Sequence, residues 1–453
     1  MKELKGHYQN IVIGFGKGGK TLAAYLANRG QDVAVIEKSE MMYGGTCINV
    51  ACIPTKSLIT NAEKGIPYSD AIDLKNELTS FLRQKNYDNL DKLPSVTIIT
   101  GKAKFVSKHE IGIALNQTNE EVQVSADRFF INTGTEPFIP DIEGIVTAKN
   151  VFTSTSLMDE AGLPERLIII GGGFIGLEFA DMYAKFGSTV TLLDGGPTFL
   201  PREDADIAEA IQKVMSEKNI NIITGAKVKS VRNTKNGGVV VAFKNTGGTE
   251  KEIEGSAVLV ATGRKPNLDG LNVQAAGLKT NAKGFLEVDD QLKTNVKNIW
   301  AIGDINGGPQ FTYISLDDYR IIRDQLFGGN HTSRATRKDF ASSIFITPAY
   351  SHLGLREKDA VARGYRIKIA KLPAAAIPRA RILNNTEGLL KCVVDAHTNQ
   401  ILGCSLFCVE ASEMINTIQV AMNAGLDYRI IRDTIFTHPS MNEAFNDLFT
   451  SLR

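Results

Sequence analysis

Two separate stretches of this chain carry the same ordered set of local instructions, and few folds satisfy both. The apolar run Ile11-Val12-Ile13 leads into Gly14-Phe15-Gly16-Lys17-Gly18-Gly19, then into the helix-forming residues 22–26, and the next apolar run, 32–36, ends at Glu37. The same order returns later: residues 167–170, then Gly171-Gly172-Gly173-Phe174-Ile175-Gly176, a helical pattern through Phe186, and a run over 189–193 ending at Asp194. In each case a buried strand turns through GxGxxG into a helix whose first N–H groups can face a pyrophosphate, and the terminal acid can accept a ribose diol. GxGxxG alone is a weak signal, but strand, turn, helix, strand and acid in register make a strong one. Two such units predict an α/β chain with two Rossmann-like domains. They also point to electron transfer between two bound dinucleotides, because a simple dehydrogenase needs only one.

Between the two units lies Gly44 to Lys56, reading GGTCINVACIPTK. It places Cys47 and Cys52 near a helix start, ahead of Pro54. The CxxxxC spacing suits neither a zinc knuckle nor a thioredoxin-type CxxC, yet thiols about one and a half turns apart can close a strained local disulfide. Two buried structural cysteines remain the alternative. Only five cysteines occur in 453 residues, an odd number that does not resemble a secreted disulfide framework. The N-terminus MKELKGHYQN has no apolar signal core, and no run of about 18 apolar residues occurs, so a cytoplasmic protein with no membrane association is expected. Lys and Arg total 51 against 50 acidic residues, which argues against nucleic acid and for a small-molecule substrate or a second copy of the chain. The six histidines show no metal-ligand spacing, so no metal site is expected.

Residues 59–89 form a long helix-like stretch, and 96–100, 102–106, 111–115 and 121–124 read as short strands of a small antiparallel insertion. Residues 129–131 run into Asn132-Thr133-Gly134, a turn that suits backbone passing close to a ligand or a plain tight turn. The run 258–260 enters Ala261-Thr262-Gly263-Arg264 in the same way, and 299–302 ends in Gly303-Asp304. Asp304 could bind a polyol chain or be a solvated turn aspartate. Asp194 favours NADH, because a carboxylate repels the 2′-phosphate of NADPH, although Arg202 keeps NADPH open. From about Phe345 the pattern changes to hairpins and then two helices, 411–424 and 427–435, with Cys404 and Cys408 expected to be buried. His438 and Glu443 close the chain's chemistry. Ser440 to Glu443 also fits a capping box, and a lone histidine is often structural.

Taken together, the two fingerprints, CxxxxC-Pro-Thr-Lys, the Gly-Asp strand end and His438-Pro439-x-x-x-Glu443 resemble the group I flavoprotein (pyridine nucleotide-disulfide) oxidoreductases along essentially the whole chain. These are relatives of glutathione reductase, lipoamide dehydrogenase and mercuric reductase. The resemblance implies a fold of FAD and NAD(P) Rossmann-like domains followed by an α+β dimerisation domain. The expected divisions are 1–152 and 270–339 for FAD, 153–269 for NAD(P), and 340–453 for the dimer. It implies FAD contacts at Gly14, Gly16, Gly19, Glu37, Lys38, Gly45, Thr46, Lys56, Thr133, Gly134, Gly303 and Asp304. NAD(P) contacts are implied at Gly171, Gly173, Ile175, Gly176, Asp194 and Gly263.

The same resemblance implies a redox-active Cys47–Cys52 disulfide, with Cys52 on the flavin side and Cys47 facing substrate, and an ion pair of Lys56 with Glu178 beside the flavin. It implies a homodimer in which His438, oriented by Glu443, acts across the interface. The segments 14–21, 42–47, 311–318 and 438–441 are similar to the reactive chlorine resistance protein A and hypothiocyanous acid reductase branch. Tyr313, Asp317 and Asp318 stand where lipoamide and glutathione enzymes have a small-residue helix start, which weakens transfer of those substrates. The expected activity is NAD(P)H-dependent reduction of hypothiocyanous acid-type oxidants, with Cys47 expected to be the attacking thiolate. Lipoamide, glutathione-type disulfide and mercuric or cupric reduction are the alternatives, and a non-catalytic FAD-binding redox sensor is the alternative from another class.

Overall fold

The computed structural model describes residues 2–118 and 120–452, which divide into two compact units. The first comprises residues through Leu58, Ser69–Phe138 and Gly263–Arg337; the second comprises Ile59–Tyr68, Ile139–Thr262 and residues from Lys338 on.

The first unit is built on a sheet in which His7–Ile13 lies between Val33–Glu37 and Glu121–Ile131, with Val96–Ser107 beyond the former and Ile299–Ala301 beyond the latter, all parallel. Successive residues of a strand point to opposite faces. Ile11 and Ile13 accordingly enter one core with Phe105, Phe129 and Leu286, while Val12 enters another with Phe15, Leu22, Phe130 and Trp300. Apolar packing on both faces explains why these strands read as continuous apolar runs rather than alternating ones. The small insertion expected over 96–124 is not separate. Residues 96–100 and 102–106 form one strand, Val96–Ser107, which pairs with Val33–Glu37 along its first half and with Glu110–Leu115 along its second. Glu121–Ile131 is shared in the same way, so the meander grows out of the parallel sheet. The long helical stretch is broken into Cys52–Glu63 and Tyr68–Asp91. Gly65 there adopts φ +69°, and Pro67 has no N–H to continue a helix.

Asn132 joins three distant parts of this unit. Its Oδ1 accepts the Gly19 N–H at 2.9 Å, and its Nδ2 donates to the Ile302 carbonyl at 2.7 Å. Gly14, at φ +99°, passes so close that a Cβ there would lie 2.4 Å from the Asn132 carbonyl oxygen. The turn therefore tolerates only glycine.

The second unit contains a five-stranded parallel sheet ordered Ile220–Ile223, Thr189–Leu193, Arg166–Ile170, Ala257–Val260 and Val151–Thr153, with a three-stranded antiparallel sheet over 227–255. It also contains a five-stranded antiparallel sheet ordered Ser342–Ile344, Tyr350–Gly354, Ile401–Phe407, Leu389–Asp395 and Ile367–Pro373. The helices Ala411–Asn423 and Ala444–Thr450 contribute to the core of that last sheet. Buried charges tie the parts of this unit together. Glu203 takes a bidentate contact from Arg356 at 2.8 and 2.7 Å, and Lys391 meets Asp204, Asp206 and Glu357 at 3.0, 3.1 and 2.7 Å. No helix among the described residues is long and apolar enough to cross a membrane.

Replacing Asn132 with Ala strands a buried N–H and a buried carbonyl. It is expected to cost about 2–4 kcal/mol, seen as a lowered thermal-unfolding midpoint of the holoenzyme.

Candidate active site

The cysteine segment begins with Gly44 and Gly45 at φ +97° and +79°. Gly45 lies against the first fingerprint, where a Cβ would come 2.6 Å from the Gly16 Cα. Asn49 Nδ2 donates to the carbonyls of Tyr43 and Gly45, both at 2.9 Å, and Lys20 Nζ donates to the Gly44 carbonyl at 3.1 Å and to Asn86 Oδ1 at 2.5 Å. Cys47 lies in the short helix Thr46–Asn49, and Cys52 opens the helix Cys52–Glu63. Pro54 fits there because the first turn has no intrahelical acceptors for its missing N–H.

Both cysteines are free thiols, and their environments polarise them in opposite directions. Cys52 is brought down to about 6 by the hydrogen bond from Cys47, aided by the Thr312 hydroxyl at 3.5 Å and the charge of Lys56 one helical turn on. Cys47 is pushed well up because it donates to Cys52, is buried, and would place a second negative charge beside the first. The two thiols titrate as a pair whose first proton is easily lost and whose second is held. For Cys47 the direction runs opposite to the lowered thiol expected from the sequence.

Three residues shape the site that motif reading did not single out for it. Lys20 is brought down to about 8 by burial and by Lys17, and its charge favours the Cys47 thiolate. Arg264 donates to the Thr135 hydroxyl and carbonyl at 2.8 and 2.6 Å and is attracted to both Asp304 and Cys52. Tyr313 stacks on Phe311 with ring centroids 5.0 Å apart, and its hydroxyl is pushed up by burial and by Cys52. A cation two residues after Ala261-Thr262 and an aromatic beside Thr312 were the available signals, but neither names its neighbour.

Asp317 and Asp318 have a structural explanation. Asp318, wholly buried, accepts the Gly303 N–H at 2.8 Å and Asn306 Nδ2 at 3.0 Å, and Arg337 binds it together with Asp317. His331 contacts Asp317 at 3.0 Å. The acids hold the Gly303-Asp304 turn.

A dinucleotide fits the polar groups of the first unit. Glu37 accepts N–H groups from Phe15 and Ser39 at 3.1 and 3.3 Å and is raised to about 7 by burial, which suits a carboxylate awaiting hydroxyl donors. The helix Lys17–Ala27 starts at Gly16 without a side-chain cap, and the Thr133 hydroxyl is buried without a partner among the described residues. Thr135 donates to Asp304 at 3.0 Å, and Lys38 contacts Asn267 at 3.3 Å. Gly14, Gly16, Gly19, Gly45, Thr46, Lys56, Gly134 and Gly303 belong to the same unit.

In the second unit, Gly171, Gly173, Ile175 and Gly176 surround the uncapped start of the helix Phe174–Phe186, and Asp194 accepts the Gly196 N–H at 3.1 Å. Gly263 lies in the first unit, where its carbonyl accepts the Phe138 N–H. Glu178, also on Phe174–Phe186, accepts the Phe345 N–H at 3.0 Å. His438 Nδ1 bonds the Glu443 carboxylate at 2.9 and 3.1 Å, and the imidazole is 71% exposed, so its other nitrogen is open. The capping box is half formed. Glu443 accepts the Ser440 N–H at 2.9 Å, but the Ser440 hydroxyl has no partner among the described residues, and the helix begins only at Ala444.

Two dinucleotide folds, a polarised dithiol and an α+β C-terminal domain define a flavin-dependent disulfide reductase-type oxidoreductase. The chain belongs to the pyridine nucleotide-disulphide oxidoreductase family, whose profile matches residues 8–318, with the family's dimerisation domain over 340–449. It is an NAD(P)H-dependent, FAD-dependent enzyme. It is 46% identical to the probable pyridine nucleotide-disulfide oxidoreductase RclA of Escherichia coli, over 98% of this chain and 99% of that protein. Identity is 32% to a mercuric reductase of Bacillus cereus, covering 96% and 70%, and 32% to a dihydrolipoyl dehydrogenase of Thermus scotoductus, covering 98% and 97%. The solved structure described as the HOCl-induced flavoprotein disulfide reductase RclA from Escherichia coli superposes with a TM-score of 0.93 at 46% identity, covering 98% and 99%, and the one described as its Cu(II) complex with 0.94 at 45%, with the same coverage.

In the reduced enzyme, thiolate absorbance should appear with a midpoint near pH 6, the direction set by the lowered Cys52 thiol. Cys52→Ser should abolish this transition, and Thr312→Val should raise its midpoint by about half a unit to one unit.

Proposed function

We propose that this enzyme reduces small electrophilic oxidants, reactive chlorine species and above all hypothiocyanous acid, through Cys47 and Cys52. The observation that carries the reading is the close Cys47 and Cys52 dithiol, which loses one proton easily and holds the second. The similarity to a protein described as an HOCl-induced flavoprotein disulfide reductase supports the substrate class.

Glu37 and Asp304 would hold the FAD sugar and polyol hydroxyls; the Gly16 helix start, Gly45 and Thr46 would hold its pyrophosphate. The bound flavin supplies two-electron transfer from NAD(P)H to the Cys47–Cys52 disulfide. Lys56 would hold positive charge beside it. The remaining chemistry belongs to the cysteines. Cys47 Sγ attacks the sulfur of hypothiocyanous acid while its proton passes to His438 of the partner subunit. Glu443 holds Nδ1–H, leaving Nε2 as the base. The sulfur–oxygen bond breaks, and the departing hydroxide takes that proton and leaves as water. The Cys52 thiolate then attacks Cys47 Sγ, expels thiocyanate and closes the disulfide. No step needs a bulky leaving group.

The test is NADH consumption by the holoenzyme with hypothiocyanous acid, oxidised glutathione, mercuric and cupric ions, and the reverse reaction with dihydrolipoamide and NAD. Turnover of hypothiocyanous acid should exceed the others; its absence from the active substrates would refute the reading, and no turnover at all would favour a redox sensor. His438→Ala should lower kcat with hypothiocyanous acid by about 10²–10³-fold, while alkylation of Cys52 keeps its midpoint. NADH should be preferred over NADPH, and Asp194→Ala should narrow that preference by about tenfold, measured as the ratio of kcat/KM values.

A further inference from the structure

Three cysteines take no part in the chemistry above. Cys392 lies on Leu389–Asp395 and Cys404 on Ile401–Phe407, adjacent antiparallel strands in the middle of the C-terminal sheet. Their register sets Cys392 directly opposite Cys404, and the two sulfurs are 2.8 Å apart. Residues directly opposite on antiparallel strands have Cα atoms about 4.5–5.5 Å apart, inside the 4.4–6.8 Å that a disulfide spans. A bond between them therefore needs side-chain rotation and no movement of the strands. Both residues are buried in the core that holds Leu390, Leu406 and Met414. Cys408, in the same core, instead directs its sulfur to Met414 Sδ at 3.7 Å.

We propose that Cys392 and Cys404 form a second dithiol, which a hypohalous acid closes to a cross-strand disulfide, sparing the core from irreversible oxidation. The proposal stands apart from the Cys47–Cys52 reading. Burial, with Cys392 adjacent, pushes the Cys404 thiol well above its usual range, so the group stays neutral and exchanges poorly with small disulfides. Hypochlorous acid is small and largely uncharged near neutral pH, so an apolar surrounding bars it less than it bars an ionic oxidant. In the first step one thiol sulfur takes chlorine from hypochlorous acid, its S–H bond breaks, and water leaves. The sulfur is thereby oxidised by two electrons to a sulfenyl chloride. In the second step the facing sulfur attacks, the S–Cl bond breaks, and chloride and the second thiol proton depart. Two thiols and one hypochlorous acid thus give one disulfide, one water, one chloride and one proton. Without a facing thiol the sulfenyl chloride hydrolyses to a sulfenic acid, which further oxidant carries to sulfinic and sulfonic acids. Those are anions in a dry apolar core, where charge is costly.

The test treats reduced holoenzyme with a few equivalents of hypochlorous acid, quenches with methionine, and denatures in N-ethylmaleimide. Cleavage before Asp395 and after Phe407 separates the three cysteines for mass mapping. The expected product is a fragment pair joined through Cys392 and Cys404, with Cys408 unlinked. In Cys392→Ala, and in the mirror variant Cys404→Ala, the remaining cysteine should carry about fivefold more sulfinic and sulfonic acid than in wild type. The proposal is overturned if both cysteines are recovered as maleimide adducts while Cys47 and Cys52 are oxidised. It is equally overturned if wild type accumulates the acids as readily as the variants, or if the link runs to Cys408.

Discussion

The first unit depends on one buried amide. Asn132 follows the strand Glu121–Ile131, receives the N–H of Gly19 at the start of the first helix, and donates to Ile302 at the end of a strand that enters the sheet from far along the chain. A carboxamide presents a donor and an acceptor side by side, so one side chain satisfies two buried backbone groups that no secondary structure would pair. Both the Gly14–Gly19 turn and the Gly303-Asp304 turn are thereby referred to the same point. Asp318 adds a second tie to the latter, accepting the Gly303 N–H while Arg337 balances its charge. Two glycine turns from opposite ends of the unit are therefore held by buried side chains.

That rigidity gives the dithiol its asymmetry. The Gly44-Gly45 turn lies against Gly16, and Lys20, Asn49 and Asn86 hold its carbonyls and orientation. Cys47 and Cys52 then leave the turn on two helix starts, with different company. Thr312 and Lys56 favour charge on Cys52, while Cys47 spends its proton on its neighbour. Two chemically identical side chains acquire separate tasks through hydrogen bonding and burial alone.

The second unit uses buried charge differently. Glu203 with Arg356 and Tyr350, and Lys391 with three carboxylates, join the parallel sheet's surroundings to the antiparallel sheet. Breaking one member of such a set leaves an uncompensated charge, so the set specifies one arrangement of the two sheets. The thiols of Cys392 and Cys404 sit in the apolar interior of that arrangement, where sequence spacing alone suggested only burial.

The sequence by itself determined the two nucleotide folds, because glycine turns, apolar strands and terminal acids are local requirements written at fixed spacing. It also pointed to Cys47, Cys52, His438 and Glu443 as candidates, because their residue types narrow the available chemistry. It misjudged the 96–124 segment, since a strand that changes partners halfway along leaves no mark in a period-two pattern. Tertiary structure alone decided that the two active-site thiols titrate as a pair, that Arg264 and Tyr313 lie within electrostatic reach of Cys52, that Asp317 and Asp318 hold a turn, and that Cys392 meets Cys404. Each of these depends on distance and burial between residues far apart in the chain. Local propensity carries no information about such neighbours, and a thiol's pKa is set by them.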